Sequence, residues 1–403
     1  MSHLCRHCST PLEHEVIDLG HQPPSNAYLT IDQLSRPEVT YPLRVFVCHN
    51  CWLVQLPAHA SADQLFTADY AYFSSTSTTW CAHAQRYVQE AVKRLGLGPS
   101  SHVVELASND GYLLQYVKSR GISCLGIEPT HATAEAARMK GIQTVEKFFS
   151  LSLAEKLDKA DLVIANNVLA HVPDINDFLA GIARLLKPNG HASIEFPHLL
   201  RLILGNQFDT IYHEHFSYLS LGSVKRISAA VGLEVVDVDE LSTHGGSIRV
   251  WLAHQDVREV SPKVSSILSA EASLGIETLS AYNGFQQRAE SIKNALIEYL
   301  LLANREGKRI LGYGAAAKGN TLLNYAGIRE DLLPSVADRA TSKQGKFLPG
   351  SHIPIISPDQ LSEESADTLF VLPWNLIDEL RHQLVGYNLM IAIPKLKSFS
   401  PNS

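Results

Sequence analysis

The sequence predicts an α/β protein: a doubly wound, mostly parallel sheet with an antiparallel end pair, preceded by a small cysteine-rich module and followed by a second α/β series. Three observations predict it. Two Cys-x-x-Cys pairs, Cys5/Cys8 and Cys48/Cys51, stand in an N-terminal stretch rich in His, Pro and turn formers. From about residue 80, short apolar runs alternate with helical patterns, which implies right-handed βαβ units and a parallel sheet. The alternation restarts at Arg309.

Taken in order, a helix is expected over Ala82–Leu95, a buried strand at His102–Leu106 and a helix from Tyr112 to Arg120. Strands follow at Cys124–Glu128, Leu162–Ala165 and His191–Phe196, with helices at Ala132–Lys140 and ending at Leu186; Lys187-Pro188-Asn189-Gly190 reads as a turn. Strands near Leu233–Val238 and Ser247–Ala253 leave no room for a helix between them, so they form an antiparallel pair. From about 260 to 306 the chain reads as helix, with Leu279, Tyr282, Phe285, Ala289, Ile292, Leu296 and Leu300 forming an apolar stripe that packs on a neighbouring domain. The second series places strands at Arg309–Gly314, Ser335–Asp338, Thr368–Leu372 and Leu389–Ile393. The expected domains are residues 1–70, 71–258 and 307–403, with connecting helices over 259–306.

With 403 residues, 45% of them hydrophobic, the chain can bury several cores. No apolar run approaches the roughly 18 residues of a membrane-spanning helix, and the start, Met1-Ser2-His3-Leu4-Cys5, does not read as a secretory signal, so a cytoplasmic location is expected. A net charge of −7 has the wrong sign for a protein that binds polynucleotide through its phosphates. No nucleic-acid or membrane partner is expected, and the chain is expected to be a monomer.

Each cysteine pair places two thiolates on a tight knuckle, and two knuckles supply the tetrahedral sulfur set that zinc prefers. Four sulfurs leave no open coordination position, so this zinc is structural. The competing readings are two unrelated pairs of reduced thiols or a redox pair, the latter opposed because neither pair opens a βαβ helix. His7 and His49 are surplus to the set; Cys81 and Cys124 stand alone.

After the strand at Val103 comes Glu105-Leu106-Ala107-Ser108-Asn109-Asp110-Gly111, then a helix. A small-residue turn at a helix N-terminus lets backbone amides approach a ligand. Glu128, about 20 residues on, can accept both ribose hydroxyl protons. Only one glycine of the usual three, Gly111, is present, which favours a ligand without a pyrophosphate at this turn.

Glu105 to Gly111, Glu128-Pro129, Phe148-Phe149, Asn166-Asn167-Val168-Leu169-Ala170-His171 and Leu186-Lys187-Pro188-Asn189-Gly190 resemble the successive motifs of class I S-adenosylmethionine (SAM) methyltransferases. With the cysteine pairs before them and Gly312-Tyr313-Gly314-Ala315-Ala316-Ala317-Lys318 after them, the whole chain resembles the three-domain nucleotide-sugar C-methyltransferases, which methylate a 4-keto-6-deoxysugar beside its ketone. The resemblance implies a class I methyltransferase sheet with a Rossmann-like C-terminal domain. It also implies SAM and zinc as cofactors, and a nucleotide-diphosphate keto-deoxysugar, dTDP-linked, as substrate. SAM is then held by Glu105, Ala107, Asn109, Gly111, Glu128, Phe148, Phe149, Asn166 and Asn167. Ala107 stands where such enzymes often have glycine.

Asp209-Thr210-Ile211-Tyr212-His213-Glu214-His215-Phe216 concentrates ionisable and hydrogen-bonding groups. Methylating carbon requires a base beside a carbonyl and a stabilised oxyanion; histidine suits the base, and a neighbouring carboxylate fixes its tautomer. The resemblance maps its Tyr-x-Glu-His signature onto Tyr212, Glu214 and His215, with His215 as base, and adds His171 and Tyr72, for which Tyr70 is an alternative. The competing readings are a satisfied structural network and a metal site, the latter with the wrong spacing for a His-Glu-x-x-His helix. His244-Gly245-Gly246 also matches a family segment, without an assigned role.

The turn Gly312-Tyr313-Gly314-Ala315-Ala316-Ala317-Lys318 follows a strand and opens a helix, a cradle for a diphosphate to which Lys318 adds a full positive charge. Asp338, ending the next strand, can serve a ribose; a generic dinucleotide is the competing ligand. The resemblance places the substrate nucleotide on Gly312, Tyr313, Gly314, Ala315, Lys318 and Asp338. Two other functions stay open at this point: a zinc-ribbon RNA methyltransferase and a non-catalytic nucleotide-binding scaffold.

Overall fold

The computed structural model describes residues 3–59 and 73–401. Among them no helix is long and apolar enough to cross a membrane. The described residues form three sheets, of four, seven and six strands.

The central sheet runs, edge to edge, Leu233–Leu241, Ser247–His254, Leu186–Pro197, Ala160–Asn166, His102–Leu106, Ser123–Ile127 and Thr144–Val145. Its near-continuous apolar strands are what a parallel sheet covered on both faces requires. The expected antiparallel pair is present, but Ser247–His254 is wedged between its neighbours and runs against both. The chain moves outward from His102–Leu106 in one direction and returns from Ala160–Asn166 in the other. The crevice beyond the carboxyl ends of these two strands is therefore the switch point where such sheets bind ligands.

The turn expected at Lys187-Pro188-Asn189-Gly190 is absorbed into the strand Leu186–Pro197 as an irregularity: Leu186 faces Ala160, yet His191 already faces Leu162. The turn formers bulge out of register without ending the strand, because the partner strand continues past them.

The N-terminal module has more regular structure than its composition suggested. His14–Gln22, Tyr41–Val47 and Val54–Gln55 form an antiparallel sheet whose fourth strand is Ser217–Tyr218, borrowed from the middle of the chain. A two-residue strand carries too little pattern to be read from sequence.

The segment 260–306 is two helices, Pro262–Leu274 and Phe285–Arg305. Gly275 ends the first at φ 77° and Gly284 precedes the second at φ 72°, both left-handed conformations that break a helix. The stripe survives on the second helix and the turn before it, where Tyr282, Phe285, Ala289, Ile292, Leu296 and Leu300 are buried. They share one core with Ile17 and Leu43 of the N-terminal sheet and with Leu311 and Leu322 of the C-terminal unit. Leu279, at the start of the separate turn Leu279–Tyr282, is 39% exposed and falls outside the stripe.

The C-terminal sheet runs Ile355–Ile356, Val336–Ala337, Ile310–Tyr313, Thr368–Val371, Asn388–Ile391 and Lys397–Phe399. It repeats the central device: Ile310–Tyr313 and Thr368–Val371 are adjacent and parallel, and their carboxyl ends make a second switch point.

A candidate active site where three sheets meet

The stretch between the strands Leu186–Pro197 and Leu233–Leu241 carries an insertion that turns through Phe208–Thr210 and again at His213-Glu214, where the His215 amide donates to the Tyr212 carbonyl at 2.9 Å, before the strand Ser217–Tyr218. Phe208, Ile211 and Phe216 are buried and anchor it. Its backbone is held on both sides: Phe216 donates to the carbonyl of Ala170, and Leu56 donates to the carbonyl of Phe216. The insertion is thereby clamped between the central sheet and the N-terminal module.

This clamp brings three of the expected catalytic groups together. The rings of Tyr212 and His215 have centroids 3.9 Å apart, and His171, in the turn after the strand Ala160–Asn166, lies 4.7 Å from His215. His215 Nδ1 lies 2.8 Å from the carbonyl oxygen of Thr210, and His171 Nδ1 2.8 Å from that of Glu214. A carbonyl only accepts, so each Nδ1 carries the proton and each Nε2 holds a lone pair in the neutral ring. The tautomer of His215 is thus set by a backbone carbonyl, not by the Glu214 carboxylate as expected. The Glu214 carboxylate is engaged elsewhere: its Oε1 accepts from Asn26 Nδ2 of the N-terminal module at 3.1 Å, and its other oxygen is buried with no partner among the described residues.

Burial dominates the electrostatics. It holds His215 well below the usual imidazole range, reinforced by His171, and brings His171, His213 and His244 to about 4. The same burial raises Glu214 and brings Asp209 up to about 6. His213 points to the N-terminal sheet, its ring 5.8 Å from that of Tyr41. Tyr72 and its alternative Tyr70 lie outside the described residues.

The first switch point is built from strained turns. Ala107, Asn109 and Gly111 have φ of 54°, 50° and 74°, so the place where glycine is usual is left-handed here too and is filled by a small residue. Glu128 Oε2 accepts from the Asn109 amide at 2.9 Å and Oε1 from the Thr130 amide at 3.0 Å. Glu105 is buried, and burial, then Glu128 and Asp110, raise its carboxyl well above the usual range. Asn166 and Asn167, the latter at φ 53°, end the strand Ala160–Asn166 across the crevice. Buried oxygens of Glu105, Ser108, Asp110, Asn166 and Asn167 lack partners among the described residues, a donor and acceptor set that fits a polar cofactor. Phe149 packs edge-on against Phe178 and Phe148 is 51% exposed.

At the second switch point, Gly314 sits at φ 85° in a space where a Cβ would meet Pro373 at 2.5 Å, so the two turns lie back to back. Gly312 lies against Val336 in the same way, and Tyr313 is packed in the apolar core. Asp338 Oδ2 accepts from the Ala315 amide at 2.7 Å and Oδ1 from the Ala340 amide at 2.7 Å. Lys318 Nζ donates to Asn375 Oδ1 at 2.7 Å and sits 4.8 Å from the Trp374 ring. Trp374 Nε1 in turn donates to Asp209 Oδ2 at 2.6 Å.

Sequence reasoning missed the N-terminal contribution. Tyr28 donates to the Ala315 carbonyl at 2.6 Å, and Asn320 Nδ2 donates to the Ser25 carbonyl at 2.9 Å. The signal available was the run Pro23-Pro24-Ser25-Asn26 between two strands, a loop with no metal to serve.

The four cysteine sulfurs lie within 4.8 Å of one another, with Cys5–Cys51 and Cys8–Cys48 each at 3.5 Å. That spacing fits sulfurs ligating one ion at about 2.3 Å. Gln55 Nε2 donates to the Cys5 sulfur at 3.1 Å, the kind of donor that steadies a thiolate. His7 hydrogen-bonds Asn176 and stays outside the sulfur set, as expected.

Comparison with known proteins matches three family models along the chain: "Putative zinc binding domain" over residues 5–66, "Methyltransferase domain" over 80–238 and "C-methyltransferase C-terminal domain" over 242–393. The chain is 35% identical over 409 aligned positions to the C-methyltransferase NovU of Streptomyces niveus, covering 99% of this chain and 97% of that one. A ubiquinone biosynthesis O-methyltransferase of Histophilus somni is 28% identical over 115 residues, 26% of this chain and 47% of that protein. Among solved structures, magnesium protoporphyrin IX methyltransferase from Synechocystis PCC 6803 with bound SAM superposes with a TM-score of 0.34 at 17% identity, over 42% of this chain and 79% of that one.

Proposed function

The chain belongs to the C-methyltransferases that join an N-terminal zinc-binding domain to a methyltransferase domain and a C-terminal C-methyltransferase domain, and from that membership we propose that it methylates the carbon beside the ketone of a nucleotide-diphosphate 4-keto-6-deoxysugar, at C-3, with a dTDP-linked sugar as substrate. As a SAM-dependent methyltransferase it uses SAM as methyl donor, and its Cys5, Cys8, Cys48 and Cys51 form a zinc site of structural type.

The observation that carries the reading is the hydrogen bond from His215 Nδ1 to the Thr210 carbonyl, which leaves Nε2 as the basic nitrogen beside Tyr212 and His171. His215 takes the proton from the carbon next to the ketone, and Tyr212 and His171 flank the oxyanion that results. SAM supplies the electrophilic methyl when bound. Glu105, Ala107, Asn109, Gly111, Glu128, Asn166 and Asn167 would hold it at the first switch point, with Phe148 and Phe149 at the rim. Glu214 steadies the insertion through Asn26. Gly312, Gly314, Ala315 and Asp338 would hold the nucleotide at the second switch point, with the domains taken as residues 1–70, 71–258 and 307–403 around the connecting helices 259–306. Fixing both reactants in line removes much of the entropic barrier.

The test is incubation with SAM and a panel of 4-keto-6-deoxysugar nucleotides in D2O, following deuterium uptake beside the ketone and product mass. Uptake together with a mass gain of one methyl supports the reading. Neither with any sugar, or tight salt-sensitive binding of bulk RNA, would defeat it.

A further inference from the structure

The C-terminal unit carries two lysines at its switch point: Lys318 on the helix Ala317–Ala326 that follows the strand Ile310–Tyr313, and Lys343 after the neighbouring strand, and they turn to opposite sides of Ile310–Tyr313. In the sheet, Val336–Ala337 lies on one side of that strand and Thr368–Val371 on the other. Lys343 follows the first of these. Its Nζ donates to the Ala315 carbonyl at 2.8 Å, lies 3.6 Å from Asp338 and sits 5.2 Å from the Tyr28 ring, at the loop that would receive a diphosphate. Lys318 instead turns to the segment following the second, where it bonds Asn375 and covers Trp374.

From there a short chain of contacts leads to the base. Trp374 bonds Asp209, and Asp209 precedes Thr210, whose carbonyl sets the tautomer of His215. Asp209 is fully buried and its Oδ1 has no partner among the described residues. The charge of Lys318 is felt at Asp209, His215 and His244. Around His215, the nearest ring neighbours Tyr212 and His171 bring no fixed positive charge, so the ammonium of Lys318 is the group suited to a developing anion.

We propose that Lys318 is a catalytic residue that holds the ketone oxygen of the sugar and the enolate derived from it, while Lys343 is the cation that meets the diphosphate. This rests on the keto-sugar reading above. His215 Nε2 takes the proton from the adjacent carbon, the C–H electron pair becomes the C=C bond, and the C=O π pair moves to the oxygen facing Lys318. When that carbon attacks the methyl, the C=O bond re-forms and the S–CH3 pair returns to sulfur, giving a neutral thioether. The proton on His215 passes to water.

The full-length protein and its Lys318→Met, Lys343→Met and Asn375→Ala variants test the assignment with two readouts. One is the affinity for thymidine diphosphate, which has no sugar; the other is deuterium uptake into saturating keto-sugar nucleotide without SAM. Lys318→Met should slow uptake about 100-fold, the cost of one oxyanion donor, while binding thymidine diphosphate within about twofold of wild type. Lys343→Met should weaken thymidine diphosphate about tenfold or more, as expected for a lost charge-assisted contact, and lower uptake at saturation by less than Lys318→Met does. Asn375→Ala, which only loosens the aim of Nζ, should slow uptake about tenfold with nucleotide affinity unchanged. Weakened thymidine diphosphate binding in Lys318→Met with normal uptake overturns the assignment. If Lys318→Met loses both, Asn375→Ala decides: slower uptake with normal nucleotide affinity upholds the assignment, and weaker nucleotide binding overturns it. Absence of uptake by the wild-type protein with every keto-sugar defeats the substrate reading itself, whereas normal uptake in wild type and Lys318→Met alike defeats this assignment alone.

Discussion

Glu128 and Asp338 are the same device built twice. Each ends the second strand of a parallel sheet, and each carboxylate bridges the amide of the preceding ligand turn, Asn109 or Ala315, and the amide two residues further on, Thr130 or Ala340. A carboxylate has lone pairs beyond those two bonds, so it can still accept from a ribose. Crossed effects are expected. Glu128→Ala should weaken SAM about 10- to 100-fold, the range for a lost hydrogen bond to a charged group, and leave thymidine diphosphate unaffected. Asp338→Ala should do the reverse, and titration calorimetry with both ligands reads the pattern. Equal weakening of both ligands by either variant would show that the turns are not independent.

His215→Asn keeps a donor near Thr210 and removes the basic nitrogen. Methyl transfer and deuterium uptake should fall about 10³-fold or more, within the range of general-base catalysis, while SAM binding stays near wild type. Near-normal turnover would sink His215 as the base.

The pH dependence follows from burial. His215 is held well below the ordinary value for histidine, so its neutral, proton-accepting form persists as the pH falls through about 6.5. The acid limb of kcat/KM, which reports the free enzyme, should lie below about 6.5. Because Lys318 contributes to the lowering, Lys318→Met should move that limb upward. An imidazole of His215 seen by NMR to titrate at or above 6.5 would contradict the premise.

Trp374→Phe deletes the 2.6 Å hydrogen bond to the buried Asp209. Stability should drop by about 1–3 kcal/mol, the cost of an orphaned buried acceptor. Because Asp209 adjoins Thr210, kcat should fall with little change in SAM affinity. A loss of stability with kcat intact would confine Trp374 to packing.

Zinc removal should reach the base through the sheet. The knuckle Cys48–Cys51 leads into Val54–Gln55, which pairs with Ser217–Tyr218 just past His215, and Arg226 bonds the Cys51 carbonyl. Cys51→Ser should lower zinc content below one ion per chain and activity by about tenfold or more. Hydrogen exchange should quicken over residues 212–218 while the strand Ala160–Asn166 stays protected. Full protection of 212–218 in the variant would uncouple the zinc module from catalysis.

Much of the architecture was legible because it is written in local patterns. The alternation from His102 onward, the stripe on Phe285–Arg305 and the paired cysteines depend on side chains a few positions apart, and secondary structure reads such spacings directly. The turn at Lys187–Gly190 misled for the same reason: three turn formers, Pro188, Asn189 and Gly190, carry a local signal, and only the partner strand Ala160–Asn166 shows that the chain stays in the sheet. The strand Ser217–Tyr218 had no signal, since its pairing partner lies in the N-terminal module.

By itself the sequence determined most of the elements from His102 onward, the two cysteine pairs and the identity of the ionisable cluster at 209–216, since each is written in residues a few positions apart. Tertiary structure decided what they do. The tautomer of His215 depends on how the insertion folds back on Thr210, the partner of Glu214 on a loop of the N-terminal module, and the direction of Lys318 on Trp374 and Asn375. Hydrogen bonds act over about 3 Å. Apart from the turn that returns His215 to Thr210, these contacts join residues distant in sequence, and docking of separately folded units is what places the donors and acceptors within that reach.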